Sequence, residues 1–402
     1  MRGREPVVAI LTVLLSIGAF AGLAQGGDGS PEWKVLIYLD ADNNLDMEAG
    51  LQHEDIYQID MDELMAVGST DHIDVFVLAD RFEGPANVFK VYKGYTEEMT
   101  GCELNGVEIN MGHPDTLEKF VAFTESVSTA PNTCLFFWDH GSPTGVAWDD
   151  NVEGSTEGDW LTHWEVVDAL KNLDMDVIAT DECSTGQVEV AYEYHTGLPG
   201  LQYAVLSECY TGWRGFPYDL ILAGLDTDGV TPRALTKIIL DVTYEYFLDP
   251  PFMSELVTSH TGVDMAAMDG LATALSTLAG ELKKDIASDH DMIISAASRA
   301  NIIWGSKTTG FVDTEKFVEA IAERSTSSAT KNACTEVLTS LSSVVIGVAG
   351  SHVSDSKQTG LGIYVPWRAI EAVDEDTSYE DYAFSGLGWL DFLRAYWVWT
   401  GA

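Results

Sequence analysis

Phe136-Phe-Trp-Asp-His140-Gly141-Ser142 is a short apolar run that passes directly into polar side chains. Further along the chain, Val177-Ile-Ala-Thr-Asp181-Glu-Cys183-Ser184 does the same. Short apolar runs that are stopped by acids are typical of strands buried in a parallel sheet. Because parallel strands end at one edge of a sheet, we expect the histidine and the cysteine to meet there. A lone His-Gly is more often a turn, and a lone cysteine is more often a small buried hydrophobe. Their joint placement is the stronger signal.

The rest of the chain supports the same kind of sheet. Apolar runs predict further strands, and periodic segments between them predict helices. The alternation indicates an α/β fold, with a mostly parallel sheet covered by helices on both faces and a helix-rich C-terminal extension. The predicted strands are 33–40, 72–80, 133–138, 175–181 and 203–207, with an edge hairpin near 87–93. The predicted helices are 45–67, 116–128, 161–172 and 186–194, then 231–247, 269–286 and 330–345, followed by a late strand at 360–366.

The N-terminus has the pattern of an export signal. Two basic residues, Arg2 and Arg4, precede an apolar run from Val7 to about Leu23, with small residues at Gly22 and Ala24. This pattern predicts a signal peptide over residues 1–24, although an uncleaved membrane anchor is the alternative. We divide the chain into this signal, a linker at 25–32, a catalytic core at 33–226, and a helix-rich part at 227–402 that completes or flanks the core. The mature protein is then expected outside the cytoplasm, with no membrane span.

The charge of the chain is strongly negative. It has 64 acidic and 21 basic residues, for a formal net charge of −43. Nucleic acid is excluded as a natural partner, because binding it requires a basic surface. The acids are spread along the whole sequence, which favours a solubilising surface over the alternative, attraction of cationic substrates.

The chemistry suggested by the two strand ends is that of a thiol peptidase. The imidazole of His140 would take the thiol proton of Cys183, and the thiolate would attack a carbonyl carbon. Gly141 has no side chain, so its N–H can approach the developing oxyanion, with the Cys183 N–H as a second donor. The chain has five cysteines, so at least one thiol must be unpaired within an exported chain.

The sequence resembles the clostripain family of cysteine peptidases, relatives of gingipains, caspases, legumain and separase. The resemblance spans roughly residues 33–370 and implies a caspase-like α/β core, a dyad of His140 and Cys183, and cleavage after a basic residue. The segments that carry it are Trp33-Lys-Val-Leu-Ile-Tyr-Leu-Asp-Ala-Asp-Asn-Asn-Leu-Asp46, Trp138-Asp-His-Gly141, Asp181-Glu-Cys183, Ser207-Glu208, Gly215-Phe-Pro-Tyr-Asp219 and Gly360-Leu-Gly-Ile-Tyr-Val-Pro366.

A basic specificity also has a physical reason in the sequence. Side chains two residues apart on an extended segment point the same way, so Asp181 can face a pocket beside Cys183. A buried carboxylate there would pair with an Arg or Lys of the substrate. The alternative role of Asp181 is a cap or turn before the next helix. Glu208, at another strand end, is a second candidate for lining that pocket.

The chain also departs from the family pattern. Clostripain-like enzymes commonly mature by cutting themselves after a basic residue between the histidine and cysteine blocks. Here the only base between Gly141 and Glu182 is Lys171, which lies in a predicted helix. We therefore expect the enzyme to work as a single chain. Arg214 lies in a presumed substrate loop, where it either opposes a basic substrate or is itself a cleavage site.

The run Asp40-Ala-Asp42-Asn-Asn44-Leu-Asp46 has acids and amides at alternate positions, a pattern that suggests calcium. An EF-hand loop requires glycine at its sixth position and glutamate at its twelfth, where this chain has Leu45 and Leu51. We therefore reject an EF-hand and favour a strand-to-helix turn, leaving a calcium site of another kind open. No cofactor is required for the proposed chemistry.

These observations predict a secreted cysteine endopeptidase that acts on proteins or peptides and cleaves after Arg or Lys. Two alternatives stay open. The chain could be a surface binding protein that kept a caspase fold and lost turnover, or a peptidase specific for Asn or an acidic residue.

Overall fold

The computed structural model describes residues 30–46, 55–152, 158–248, 259–284, 286–300, 310–350, 359–366, 373 and 377–400. The predicted signal peptide at 1–24 lies outside these residues, as does part of the predicted helix at 45–67. Among the residues described, no helix is both long and apolar enough to cross a bilayer.

The centre of the molecule is a nine-stranded sheet in the order β12-β10-β9-β8-β5-β1-β2-β3-β4. Its parallel strands are β1 (Trp33–Ala41), β2 (Ile73–Arg81), β5 (Asn132–Trp138), β8 (Val177–Asp181) and β9 (Tyr203–Ser207). A hairpin of β3 (Asn87–Tyr92) and β4 (Tyr95–Glu98) forms one antiparallel edge. The opposite edge is formed by β10 (Ser259–Asp264) and β12 (Val345–Gly350), also antiparallel.

Both faces of the sheet are buried under helices. Alternate residues of β1 separate into two apolar cores, with Leu36 and Tyr38 on one face and Val35, Ile37 and Leu39 on the other. This arrangement explains why the central strands are continuous apolar runs. The helices over the first face are α2 (Pro114–Val127), α3 (His163–Leu170), α4 (Val188–Gly197) and α7 (Met268–Lys284). Those over the second face are α1 (Ile56–Val67), α5 (Tyr218–Leu225) and α6 (Pro232–Leu248).

The C-terminal part contributes to the same sheet. Besides β10 and β12, it supplies the helices α8 (Ile286–Arg299), α9 (Thr314–Arg324), α10 (Ser328–Val344) and α11 (Trp389–Thr400). Two small sheets complete the fold, one of β11 (Phe311–Asp313) with β13 (Gly362–Tyr364), the other of β6 (Gly145–Asp149) with β7 (Asp159–Thr162). The predicted α/β class, with a mostly parallel sheet and a helix-rich C-terminus, is confirmed.

One predicted helix begins later than the sequence suggested. Residues 161–172 divide into the end of β7 and the helix α3, because Thr162 caps the helix. The Thr162 side chain accepts from the Glu165 backbone, and the Glu165 side chain accepts from the Thr162 backbone. This capping box fixes the start of α3.

Candidate active site

The two strand ends singled out in the sequence lie side by side. Strands β5 and β8 are neighbours in the sheet, and their last residues, Trp138 and Asp181, are paired in register. The chain therefore leaves the sheet at the same level on both strands. His140 and Cys183 both line one cavity of about 400 Å³, together with Asp181 and the loop 210–215.

The His140 ring is held by the loop after β1. Its Nε2 lies 2.6 Å from Oδ1 of Asn44. Because an amide oxygen only accepts, this contact places the proton of a neutral imidazole on Nε2 and leaves the Nδ1 lone pair able to accept a proton. Burial lowers the pKa of His140, while the charge of Asp150 opposes that shift. The imidazole is therefore neutral at physiological pH.

The Cys183 thiol is partly buried at the wall of the cavity. The Thr211 N–H donates to Sγ over 3.4 Å. Burial, followed by the nearby charges of Glu182, Asp181 and Asp139, raises the pKa of Cys183 to about 11. These two shifts favour a neutral thiol and a neutral imidazole in the free protein.

Gly141 lies at the closest approach of the two loops. A Cβ atom at Gly141 would lie 2.7 Å from Cβ of Glu182 and 2.8 Å from the Cys183 carbonyl oxygen. Contacts this short force the backbone apart, so only glycine fits here without displacement. Its absent side chain allows the His140 segment to run against the Cys183 turn. The role of its N–H as an oxyanion donor stays a prediction.

Asp181 lies beneath the loop that closes the cavity. Its Oδ2 accepts from the Phe216 N–H (2.7 Å) and from the Tyr218 hydroxyl (3.1 Å). Its Oδ1 is buried and has no hydrogen-bond partner among the described residues. Gly215, with a φ of +56°, passes directly over the carboxylate, where a Cβ would collide with it. Burial raises the pKa of Asp181 to about 7.

More acids surround this pocket. Asp60 on α1 accepts from the indole N–H of Trp138, and burial raises the pKa of Asp60. The charges of Asp181 and of Glu63 are both near enough to raise the pKa of Asp60. Arg214 opposes these shifts at Asp60 and Glu63. The positive charge of Arg214 therefore lies near the acidic group beside the cavity.

Glu208 lies elsewhere. It is buried, but it is not among the described residues that line the cavity. Its Oε2 accepts from the Gly360 N–H over 3.2 Å, and the charge of Asp313 raises its pKa after burial. The structure therefore does not bring Glu208 to the pocket beside Cys183.

The sequence analysis missed the role of the β1 loop in the site. Besides the contact of Asn44 with His140, Asn43 donates from Nδ2 to Oδ1 of Asp139 (2.7 Å) and to the Trp148 carbonyl (2.8 Å). The polar run after β1 was the signal that could have indicated this role. Because β1 ends beside the end of β5, the loop that follows β1 lies against the histidine that follows β5.

The other cysteines play no part in this cavity. All five are free, and Cys102, Cys134, Cys209 and Cys334 are buried. Two groups of side chains among the described residues could hold a metal ion: Glu32 with His72 and Asp228 near the surface, and the buried trio Asp42, Asp80 and Asp149.

Comparisons with known proteins agree with this architecture. A family model described as the clostripain family matches residues 37–397. Clostripain of Hathewaya histolytica is 27% identical over 227 residues, which cover 49% of this chain and 43% of clostripain. The alignment thus spans less than half of that relative.

Two solved structures share the fold over almost their whole length. One is a secreted C11 cysteine protease from Bacteroides thetaiotaomicron in complex with an irreversible peptide inhibitor, with a TM-score of 0.64, 15% identity, and coverage of 89% of this chain and 99% of that one. The other is an inactive zymogen C11 protease from Parabacteroides distasonis, with a TM-score of 0.66, 18% identity, and coverage of 90% and 99%.

Proposed function

Since the chain belongs to the clostripain family of cysteine peptidases, we propose that it is a cysteine endopeptidase that cleaves after Arg or Lys. Cys183 is the nucleophile and His140 the base. The observation that carries this proposal is the shared cavity, in which a thiol, a neutral imidazole and a buried carboxylate with an unpaired oxygen lie together.

The first step forms a thioester. Nδ1 of His140 accepts the thiol proton as Sγ of Cys183 attacks the scissile carbonyl carbon, and the negative charge moves to the carbonyl oxygen. The N–H groups of Gly141 and Cys183 stabilise that oxyanion. The C–N bond then breaks, and the imidazolium gives its proton to the departing amine.

The second step releases the acid product. His140 takes a proton from water, and the hydroxide attacks the thioester carbonyl. The C–S bond breaks, and the proton returns to the sulfur. Asn44 acts on both steps as a positioning residue, because its contact with Nε2 keeps Nδ1 as the base.

Substrate binding helps to ionise the nucleophile. The charge of Asp181 contributes to the high pKa of Cys183. A basic substrate side chain paired with Asp181 neutralises that contribution, so the thiolate becomes easier to form once the correct substrate is bound.

Specificity is assigned to Asp181. Its Oδ2 is fixed by two donors, while its buried Oδ1 is left for the cation of the substrate. Asp60 and Glu63 place two more carboxyl groups beside it, and burial raises the pKa of each. A buried carboxylate with a free oxygen pairs strongly with a guanidinium or ammonium group, and it repels an acidic side chain.

We further propose that the protein acts outside the cytoplasm on proteins or peptides. The proposal rests on the pattern of residues 1–24 and on the acidic composition of the chain. Mass spectrometry of the N-terminus after expression in a secreting host tests it, with a start near Gln25 expected and an intact Met1 in a membrane fraction contradicting it.

The enzymatic proposal is tested with a panel of fluorogenic peptides that differ only at the residue before the cut. We expect the mature protein to cleave after Arg and Lys, and the Cys183→Ala variant to cleave none. Absence of cleavage by the wild type supports a binding protein instead, and cleavage only after Asn or Asp contradicts the proposed pocket.

A further inference from the structure

A second cavity adjoins His140 and does not include the proposed nucleophile. Its volume is about 290 Å³. Among the described residues, His140 is the one that this cavity shares with the cavity of Cys183 and Asp181. The imidazole therefore lies between two separate cavities, and we call the second one the tryptophan cavity. The described residues that line it come from the loops after β1 and β5 and from the β6–β7 hairpin: Asn44, His140, Gly141, Trp148, Asp150 and Trp160.

Two tryptophans form the aromatic wall of this cavity. Trp148 on β6 and Trp160 on β7 are opposite each other in the register of the hairpin, so their side chains lie on the same face. The two rings are 80° apart in orientation, and their centroids are 5.5 Å apart. Both residues are only partly buried. Aromatic surface therefore stays accessible to a ligand in the tryptophan cavity.

The backbone beside Trp148 has an uncommon conformation. Ala147 has a φ of +53°, a region that residues other than glycine rarely adopt. The register of β6 with β7 also shifts between Val146 and Trp148. Bulges of this kind redirect a side chain and are frequent beside active sites. The Trp148 backbone N–H donates to Asp139, and its carbonyl accepts from Asn43. The hairpin is therefore anchored to the loops after β1 and β5.

Asp150 supplies the negative charge of the tryptophan cavity. Asp150 is exposed, and its Oδ1 accepts from the indole N–H of Trp148 over 2.8 Å. Its charge reaches His140, which lines the same cavity. None of the ion pairs among the described residues includes Asp150. The cavity thus combines accessible aromatic surface with a carboxylate that no described cation neutralises.

The mechanism determines which part of a substrate lies beside His140. The imidazolium gives its proton to the departing amine, so the residue that carries this amine, the one after the cut, must lie against His140. The side chain before the cut occupies the other cavity, which contains Cys183 and Asp181. The tryptophan cavity, which His140 also lines, is then placed to receive the side chain after the cut.

We propose that the tryptophan cavity binds the side chain of the substrate residue directly after the cut, and that it prefers Arg or Lys there. This inference rests on the proposed peptidase function. The faces of Trp rings attract cations, and a guanidinium group both stacks on aromatic rings and pairs with carboxylates. Asp150 would repel an acidic side chain, and an aromatic side chain would gain from the rings alone. The preferred substrate therefore has two successive basic residues, with the cut between them.

The test compares peptides that differ only at the residue after the cut. Each peptide has Arg before the scissile bond and Arg, citrulline, Phe or Glu after it. An N-methylated amide follows the variable residue, so that the peptide has one cleavable bond, and mass spectrometry of the products verifies its position. Citrulline has nearly the size of Arg without its charge. We expect kcat/KM of the Arg peptide to exceed that of the citrulline peptide by about 5- to 10-fold, and the Glu peptide to be the poorest.

Variants assign this preference to the tryptophan cavity. Asp150→Asn keeps the shape of the side chain and should lower the ratio of kcat/KM between the Arg and citrulline peptides at least about twofold. Trp160→Leu, which removes one aromatic face, should lower the same ratio. Asp168→Asn removes the charge of an exposed aspartate that pairs with Lys171, and it should leave the ratio unchanged. Because the ratio compares two substrates on one preparation, a general loss of activity or of folded protein does not alter it.

The possible failures are distinguishable. Equal kcat/KM for the Arg and citrulline peptides, or a higher value for the Phe peptide, would overturn this inference while cleavage after Arg still stands. An unchanged ratio in Asp150→Asn would contradict the assignment to this cavity. Cleavage of none of the peptides would overturn the proposed peptidase function together with the inference.

Discussion

The thiol of Cys183 lies where its proton is hard to lose. Burial and three nearby acids raise the pKa of Cys183 to about 11, and burial lowers the pKa of His140. Proton transfer is therefore expected to accompany attack on the substrate. In the absence of substrate the protein should be a weak thiol nucleophile, because the thiolate is the reactive species.

The high pKa of the Cys183 thiol predicts that this cysteine is alkylated slowly. At pH 7.5 iodoacetamide should modify Cys183 about two orders of magnitude more slowly than an ordinary exposed cysteine, since far less of it is thiolate. The rate should rise with pH up to about 11, where the thiol ionises. Peptide mass spectrometry measures the rate of modification at Cys183, and free cysteine is the reference compound. A rate plateau reached near pH 7 would show a preformed ion pair.

Asp181 predicts a pH-dependent specificity. The pKa of its carboxyl is raised to about 7 in the free protein, so under the proposed specificity ionisation above that pH provides the charge that would pair with Arg. For an Arg substrate, kcat/KM should fall as the pH drops through about 7, whereas a citrulline substrate should show no such fall until His140 is protonated at lower pH.

The matched variant is Asp181→Asn. It should lower kcat/KM for the Arg substrate by roughly 100-fold, the cost of losing a buried charge pair, and change the citrulline substrate little. Equal losses on both substrates would indicate that Asp181 has only a structural role.

At the scale of elements, the site depends on how closely the ends of β5 and β8 approach. The pairing of Trp138 with Asp181 makes the two strands end at the same height in the sheet. The absence of a side chain at Gly141 allows the two following loops to approach closely. A methyl group at Gly141 must push either the Glu182 side chain or the Cys183 backbone away from the dyad.

We therefore expect Gly141→Ala to lower kcat/KM by 100-fold or more while costing about 1–3 kcal/mol of unfolding free energy. Kinetics and thermal unfolding measure the two effects. Gly270→Ala is the control, because a Cβ there meets nothing within 4 Å. Activity of Gly141→Ala near that of the control would contradict the close approach.

The central strands could be predicted from the sequence because each is a continuous apolar run, as in Val177–Asp181. The edge strands β10 and β12 were missed. Ser259–Asp264 is buried but contains Ser, His, Thr and Gly, and Val345–Gly350 is short and rich in glycine, so neither shows apolar periodicity. Their strand structure is determined by pairing with β9 and with each other.

The same limit applies to the site. His140, Cys183 and Asp181 could be placed from their own strand ends, because parallel strands share one edge. Asn44 and Glu208 could not be placed correctly. The position of Asn44 depends on β1 lying beside β5, and the side chain of Glu208 turns toward Gly360, which is distant in the chain. Strand order and long-range contacts cannot be predicted from local sequence patterns.

At the scale of the whole molecule, the C-terminal part belongs to the same sheet as the site. Strand β10 pairs with β9, so the sheet that carries Cys183 continues into residues beyond 226. The family match over residues 37–397 is consistent with one folded unit. The helix-rich part therefore completes the core sheet as well as flanking it.

The chain should also work without being cut between the two strand ends. The only base between Gly141 and Glu182 is Lys171, which caps α3 and pairs with Asp168 at 2.9 Å. We expect the active protein to remain one uncut chain across this interval. Intact-mass analysis during incubation measures whether it does. Lys171→Gln should leave the activity unchanged. Cleavage after Lys171 that precedes the onset of activity would contradict this expectation.

The most direct test of the account is covalent labelling by a peptidyl chloromethyl ketone with Lys at the position before the reactive group. The Cys183 sulfur should displace chloride, so that mass spectrometry finds one adduct per chain on Cys183, and the matching Asp-containing reagent should label far more slowly. Labelling of another cysteine, or faster labelling by the Asp reagent, would contradict the proposed nucleophile and its acidic pocket.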